Sequence, residues 1–306
     1  MSSTDGARQP SSPGIVKGPE TASKLTSLAD AAALVHDGDM LGIGGMTLYR
    51  KPMAFVRELA RAGRSGLTLL GFCSSFDAEL LAAAGALKTL RSCYFGLEFL
   101  GLAPGLRRAT EQGTIGIVEE TECTLAIGLQ AALMRVPCLP SRDCEVGTDY
   151  FRIRPDLKRA PCPVSGELLT WFPALAPRVA VIHAPLADAQ GNAWLGGQHA
   201  IDAQLAMAAE VTIVTAERIA PTAEVRDAAG GAGLVSFMVD AVVEVPGGAH
   251  PTSCFPDYPV DVVHLTRYLQ DARRRATPQY LERYVRGPRS PLDYLERILE
   301  DADVTP

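Results

Sequence analysis

The sequence predicts an α/β fold: an open, mostly parallel sheet with helices on both faces. Three observations predict it. Strand-like and helix-like segments alternate along most of the chain, glycine-rich turns stand where apolar runs end, and 306 residues at 47% hydrophobic and 21% charged suffice for a full core.

The apolar run over residues 40–46 reads as the first strand, closed by Gly44-Gly45, and Pro52 opens an amphipathic helix over residues 53–62. Strands at 67–72 and 90–95 alternate with helices at 77–84 and 104–112, and a strand at 114–118 leads into a helix at 124–134. Residues 137–177 hold seven prolines and read as an excursion of loops and short strands. The alternation then resumes with a strand at 179–183, a turn at 188–192, a helix at 200–209 and strands at 211–215 and 238–245. Residues 265–301 read as two helices separated by Gly287-Pro288. The expected layout is a mobile tail over 1–24, rich in Ser, Pro, Gly and Thr, a domain over 25–269 and a helical C-terminal tail over 270–306. No repeat at solenoid periods occurs.

Charge and composition remove several classes of function. A net charge of −6 is the wrong sign for a nucleic-acid surface, and Arg273-Arg274-Arg275 alone reads as a solvated helix face. No run approaches the roughly 18 apolar residues of a membrane span, and the N-terminus lacks the apolar core of a secretion signal. Seven scattered cysteines without a CxxC pair predict reduced thiols in a cytoplasmic protein. The five histidines are too far apart in sequence to form a familiar metal motif, so no metal is expected.

Two segments stand out. In Phe237 to Tyr258, FMVDAVVEVPGGAHPTSCFPDY, a strand runs into Pro246-Gly247-Gly248 and a second proline turn; the competing readings are a site and a structural turn with His250 as a satisfied loop histidine. In Met40 to Pro52, MLGIGGMTLYRKP, the glycine pair Gly44-Gly45 would bring backbone N–H groups toward an anion beside the positive charges of Arg50 and Lys51, unless it is a tight turn with solvated basic residues. Neither GxGxxG nor GxxxxGK[ST] is present, nor the GxSxG of a serine hydrolase.

Together these segments resemble the alpha subunit of the family I coenzyme A transferases, in the glutaconate-type branch. The resemblance also rests on YFGLEF at Tyr94, VPCLPSR at Val136 to Arg142, Gly147-Thr148-Asp149 and ADAQGNAW at Ala187 to Trp194, and covers about residues 25–269. A related branch, the steroid ring-cleaving hydrolases, shares the RKPMAFVR and PGGAH patterns. The resemblance implies a fold shared with ribose-phosphate isomerases, a beta subunit in an alpha2-beta2 assembly, and acyl-CoA with a carboxylic acid as substrates. It implies no cofactor, the coenzyme A thioester being a substrate. In two-chain transferases the nucleophilic glutamate belongs to the beta subunit, so this chain is expected to complete the cleft.

Glu122 is the catalytic candidate. It follows a predicted strand, at the end where α/β sites form, and matches the position of the hydrolase branch's catalytic glutamate; the competing reading is a helix-start carboxylate favoured by the dipole. As a general base it would activate water. Cys123 stands beside it where the hydrolases tend to have glycine. Arg142, on a proline-stiffened turn, could grip a substrate carboxylate in a bidentate pair, with a surface salt bridge to Asp143 or Glu145 as the alternative. Three functions follow as alternatives: a transferase subunit, a hydrolase subunit opening a cyclic 3-oxoacyl-CoA, and a non-catalytic acyl-CoA-binding relative.

Overall fold

A computed structural model describes residues 22–142 and 147–303. The first half holds α1 (Leu28–Ala33), β1 (Met40–Met46), α2 (Met53–Arg61), β2 (Leu67–Ser74), α3 (Phe76–Ala83), β3 (Leu87–Ser92), β4 (Tyr94–Phe95), α4 (Pro104–Glu111), β5 (Gly116–Glu119) and α5 (Glu122–Leu133). Next come β6 (Cys138–Ser141), α6 (Tyr150–Ile153), β7 (Lys158–Pro161) and β8 (Leu168–Pro173). The chain then returns to the sheet through β9 (Val179–Ala187), β10 (Ala193–Trp194), α7 (Asp202–Ala208), β11 (Val211–Ile219), α8 (Thr222–Asp227) and β12 (Ala241–Glu244). It ends in α9 (Val262–Arg273), α10 (Thr277–Leu281) and α11 (Pro291–Asp303).

The main sheet runs β12-β11-β9-β1-β2-β3-β5, with every neighbouring pair on this path parallel. From β1 the chain winds outward through β2, β3 and β5. After β8 it returns to β9, on the other side of β1, and winds outward the opposite way, so the topological switch lies between β1 and β9. β9 is buried at every position because helices cover both faces, which is why VAVIHAPLA reads as a continuous apolar strand. One face buries Leu41, Ile43, Leu69 and Leu90 with Phe55 and Leu59 of α2; the other packs Leu70 and Ala180 against Leu125 and Leu129 of α5 and Leu205 of α7.

Differences from the expected layout have local causes. The proline-rich middle contains a separate antiparallel sheet, β6-β8-β7, against α5. The strand expected over 238–245 shortens to β12, preceded by a 3-10 turn, because Asp240 turns back to Thr212 through N–H and carboxylate bonds of 2.8 Å each. The expected mobile tail lies outside the described residues up to residue 21; Lys24 is already docked, donating its N–H to Ala189 (2.7 Å), and Leu25 bridges Val242. α1, too short to show periodicity, is capped by the Ser27 hydroxyl accepting Asp30 N–H at 3.0 Å.

The C-terminal helices are part of the main core rather than a separate tail. Tyr268, Tyr280, Tyr284 and Tyr294 are buried there, and the Arg57 guanidinium of α2 lies 3.6 Å from the Tyr294 ring centroid. Among the described residues no helix is long and apolar enough to cross a membrane.

Candidate active site

The Pro246-Gly247-Gly248 turn is held by one carboxylate. Glu217, on β11, accepts the N–H of Gly247 (2.5 Å) and of Gly248 (3.1 Å), lies 2.7 Å from His183 Nε2, and accepts the Tyr258 hydroxyl. Burial pushes the Glu217 carboxyl upward, but the hydrogen bond and charge of His183, with Tyr258 and Gly247 N–H, hold it below the ordinary carboxylate range. A Cβ on Gly248 would sit 2.6 Å from the His183 ring and 2.7 Å from the Val245 carbonyl, so this position needs glycine. His250 is satisfied by Tyr294 (2.8 Å) and Asp261 (3.0 Å), and His264 by Tyr280 (2.7 Å). The structural reading of this segment is the one the geometry supports. Cys254 joins His183 and Glu217 in a close group of potential metal donors, yet Glu217 already serves four protein donors.

The Gly44-Gly45 loop is equally committed. Gly45 N–H donates to Asp202 Oδ1 at 2.8 Å, and Cβ atoms added to Gly44 and Gly45 would meet Asp202 Oδ1 at 2.7 Å and the Tyr49 carbonyl at 2.5 Å. Arg50 is fully buried: its guanidinium donates to His183 O (2.6 Å), to Gln198 O and to Asp202 Oδ2 (2.7 Å). The expectation that Gly45 N–H and Arg50 face an anionic ligand is therefore corrected. Asp202, at the start of α7, is the internal anion they bind, and the pair closes the switch point between β1 and β9. Lys51, also buried, lies 3.4 Å from both Gly45 O and Asp77 Oδ2. Its charge is likewise turned inward.

What remains open is the row of strand ends beyond β1. Met46 pairs with Cys73 and Cys73 with Tyr94, while two residues earlier along the sheet Ser92 pairs with Glu119, so the strand ends of β1, β2 and β4 adjoin those of β3 and β5 that lead to the start of α5. Thr47 (φ 47°) and Glu98 (φ 52°) adopt left-handed backbone in the loops around this row, a strain that non-glycine residues tolerate at sites. Glu122 is the first residue of α5 and is exposed. Thr121 caps the helix, its hydroxyl accepting Thr124 N–H (3.2 Å) while Thr124 Oγ1 accepts Thr121 N–H (2.8 Å). Thr124 also donates to Glu120 (2.6 Å), a buried carboxylate clamped by Arg91 and Arg154 at 2.5 and 2.7 Å. Of the adjacent carboxylates, Glu120 therefore fixes the helix start and Glu122 is presented to solvent.

The Cys73 and Cys93 thiols stand in this row with their sulfurs 4.0 Å apart. The bond with Cys93 draws the Cys73 thiol down; burial opposes it, the Lys51 charge assists, and Glu98 and Glu122 oppose. Sequence reasoning passed over Cys73, Cys93 and Glu98, because only the register of separate strands brings them together. Arg142 lies at the end of β6, 80% exposed, with Nε 2.8 Å from Glu167 Oε1. The structure places it on the small antiparallel sheet; Asp143 and Glu145, its expected competitors, lie outside the described residues.

Comparison with known proteins gives this geometry a family. Residues 25–244 match the family model described as Coenzyme A transferase. The chain is 36% identical, over 86% of its own length and 94% of the relative's, to the cholesterol ring-cleaving hydrolase IpdA subunit of Mycobacterium tuberculosis. It is 31% identical, over 80% and 82% of the two lengths, to a glutaconate CoA-transferase subunit of Acidaminococcus fermentans. An uncharacterised protein of Archaeoglobus fulgidus is 36% identical, and this chain spans 63% of its length. The solved glutaconate coenzyme A-transferase of A. fermentans superposes with a TM-score of 0.82 at 28% identity, covering 90% of this chain and 93% of that one. The fold, the transferase relatives and the match over 25–244 agree: this chain belongs to the coenzyme A transferase family.

Proposed function

We propose that the chain is the alpha subunit of a heteromeric transferase, assembled as alpha2-beta2, that moves coenzyme A between carboxylic acids. The observation that carries this reading is the open row of strand ends with an apolar border: Tyr94, Phe99 and Leu102 are 39, 71 and 59% exposed beside it, which suits a cleft completed by a second chain. The thioester carbonyl is attacked by a carboxylate of the beta subunit, giving an anhydride and free coenzyme A thiolate. The thiolate then attacks the enzyme's own acyl carbon, forming an enzyme thioester and releasing the first acid; the acceptor acid reverses both steps. This chain's part is to bind the acyl group and exclude water.

The exposed carboxylate of Glu122 favours a second reading, hydrolytic opening of a cyclic 3-oxoacyl-CoA with Glu122 as the general base that takes a proton from water. A non-catalytic acyl-CoA-binding role remains as the third alternative. Co-purification with the beta subunit, followed by turnover with and without an acceptor acid, separates all three. Under the transferase reading, turnover needs both the partner and the acceptor, and Glu122→Gln retains the enzyme thioester. Under the hydrolase reading turnover needs no acceptor, and Glu122→Gln lowers it by about 10²–10⁴. Tight acyl-CoA binding by the lone chain without turnover would favour the third.

A further inference from the structure

We propose that Cys73 and Cys93 form an oxidisable dithiol, which a peroxide-class oxidant converts to an intramolecular disulfide across the candidate site, switching it off reversibly.

The pairing follows from the sheet. Cys73 lies near the end of β2, and Cys93 sits between β3 and β4, its N–H donating to the Phe72 carbonyl at 3.2 Å. Cys93 directly precedes Tyr94, the register partner of Cys73, so the two cysteines are diagonal neighbours where β4 pairs with β2. The sulfurs are 4.0 Å apart and need to close by about 2 Å. Cys93 Sγ also donates to Phe72 O at 2.8 Å, a bond that is given up when the thiol loses its proton to form the bridge. Both thiols are partly exposed, so a small oxidant reaches them, whereas Cys254 is buried in the Glu217 cluster.

The hydrogen bonds of the pair divide the two roles. The Cys93 thiol keeps its proton by donating to the Phe72 carbonyl at 2.8 Å, and its bond with Cys73 and burial push it up, while the Lys51 charge favours Cys73 as the thiolate-forming member. The Cys73 thiolate attacks one peroxide oxygen, the O–O bond breaks, and sulfenic acid and hydroxide form. Cys93 sulfur then attacks the sulfenic sulfur; its proton leaves with the displaced hydroxyl as water, and the S–S bond closes. In total, two thiols and one peroxide give one disulfide and two waters.

The bridge would lock β2 to the β4 strand start in the level that leads to Glu122. The loss of turnover rests on the function proposed above; formation of the bridge does not.

The test is graded hydrogen peroxide on the full chain with its co-purified partner, then alkylation and non-reducing peptide mapping. The expected result is a Cys73–Cys93 cross-linked peptide about 2 Da lighter than the two thiol peptides together, removed by dithiothreitol. Turnover should fall in proportion to the cross-linked fraction and return on reduction. In Cys93→Ser, peroxide should leave a sulfenic acid on Cys73 that a dimedone probe labels. Free, alkylatable Cys73 and Cys93 after peroxide would overturn the proposal, as would a disulfide made instead through Cys123 or Cys138. Full turnover by cross-linked enzyme would overturn the switch. Reduced protein that never turns over, with the bridge forming normally, would instead count against the proposed function.

Discussion

Glu217 and Glu122 both stand toward the carboxyl ends of the sheet strands, and they are used in opposite ways. Glu217 accepts from Gly247, Gly248 and Tyr258 and lies against His183. Glu122 is exposed at a helix start whose geometry is set by neighbours, Thr121, Thr124 and Glu120. Among the described residues its carboxylate accepts no hydrogen bond. A carboxylate with every lone pair spent on protein shapes the backbone; one held in place but unspent is available to chemistry. The same contrast separates Arg50, buried against Asp202, from Arg142, which reaches into solvent.

The contrast breaks most visibly at Glu217. Glu217→Ala leaves Gly247 and Gly248 N–H, the Tyr258 hydroxyl and the His183 ring without their acceptor, and should cost about 3–5 kcal/mol, read as a lower denaturation midpoint. If stability were unchanged, the turn would not depend on this carboxylate. Acid should act next, on the histidines behind the turn. Burial pushes His264 down to about 3 from an ordinary 6.5, while the hydrogen bond from His250 holds Asp261 down to about 2. Below pH 6.5 the unfolded chain takes up a proton on His264 that the folded chain refuses. Stability from this group is therefore complete above 6.5 and falls toward pH 3, at up to about 1.4 kcal/mol per pH unit. Asp261 adds a loss of the same sign below its ordinary 3.8. Melting curves from pH 7 to 4 check this; His264→Phe should flatten them.

The sheet was readable in the sequence because its signals are local. The run of β9, the glycines after β1 and Pro104 at the first position of α4 each act on their own neighbours. The site was only partly readable. Glu122 could be found from its position after a strand, but its freedom depends on Glu120 being taken by Arg91 and Arg154, the latter 34 residues away. Gly44, Gly45 and Arg50 carried the composition of an anion site, and nothing nearby in sequence announces that Asp202, more than 150 residues on, fills it. Cys73 and Cys93 were passed over for a similar reason: 20 residues separate them, and the pairing of Cys73 with Tyr94 brings the neighbouring Cys93 beside it.

Smaller effects sharpen the contrast. Glu122→Gln should change stability by no more than about 1 kcal/mol, since it loses only an exposed carboxylate's interaction with the helix dipole. Paired with the activity measurement, this distinguishes a functional carboxylate from a structural one. A loss as large as that of Glu217→Ala would place Glu122 in the second class.

Arg142 is expected to have the slightest effect on folding. Its pair with Glu167 is solvent-screened, so Arg142→Ala should alter stability by at most about 0.5 kcal/mol. Its binding role is decided by the substrate. If the guanidinium grips a second carboxylate, the variant should raise KM about tenfold or more for a dicarboxylic acyl group, from one lost charge-assisted hydrogen bond, with kcat little changed. A monocarboxylic acyl group of the same length offers no such partner, so its KM should not move. Equal changes for both substrates would remove Arg142 from substrate recognition and leave it a solvent-screened surface charge.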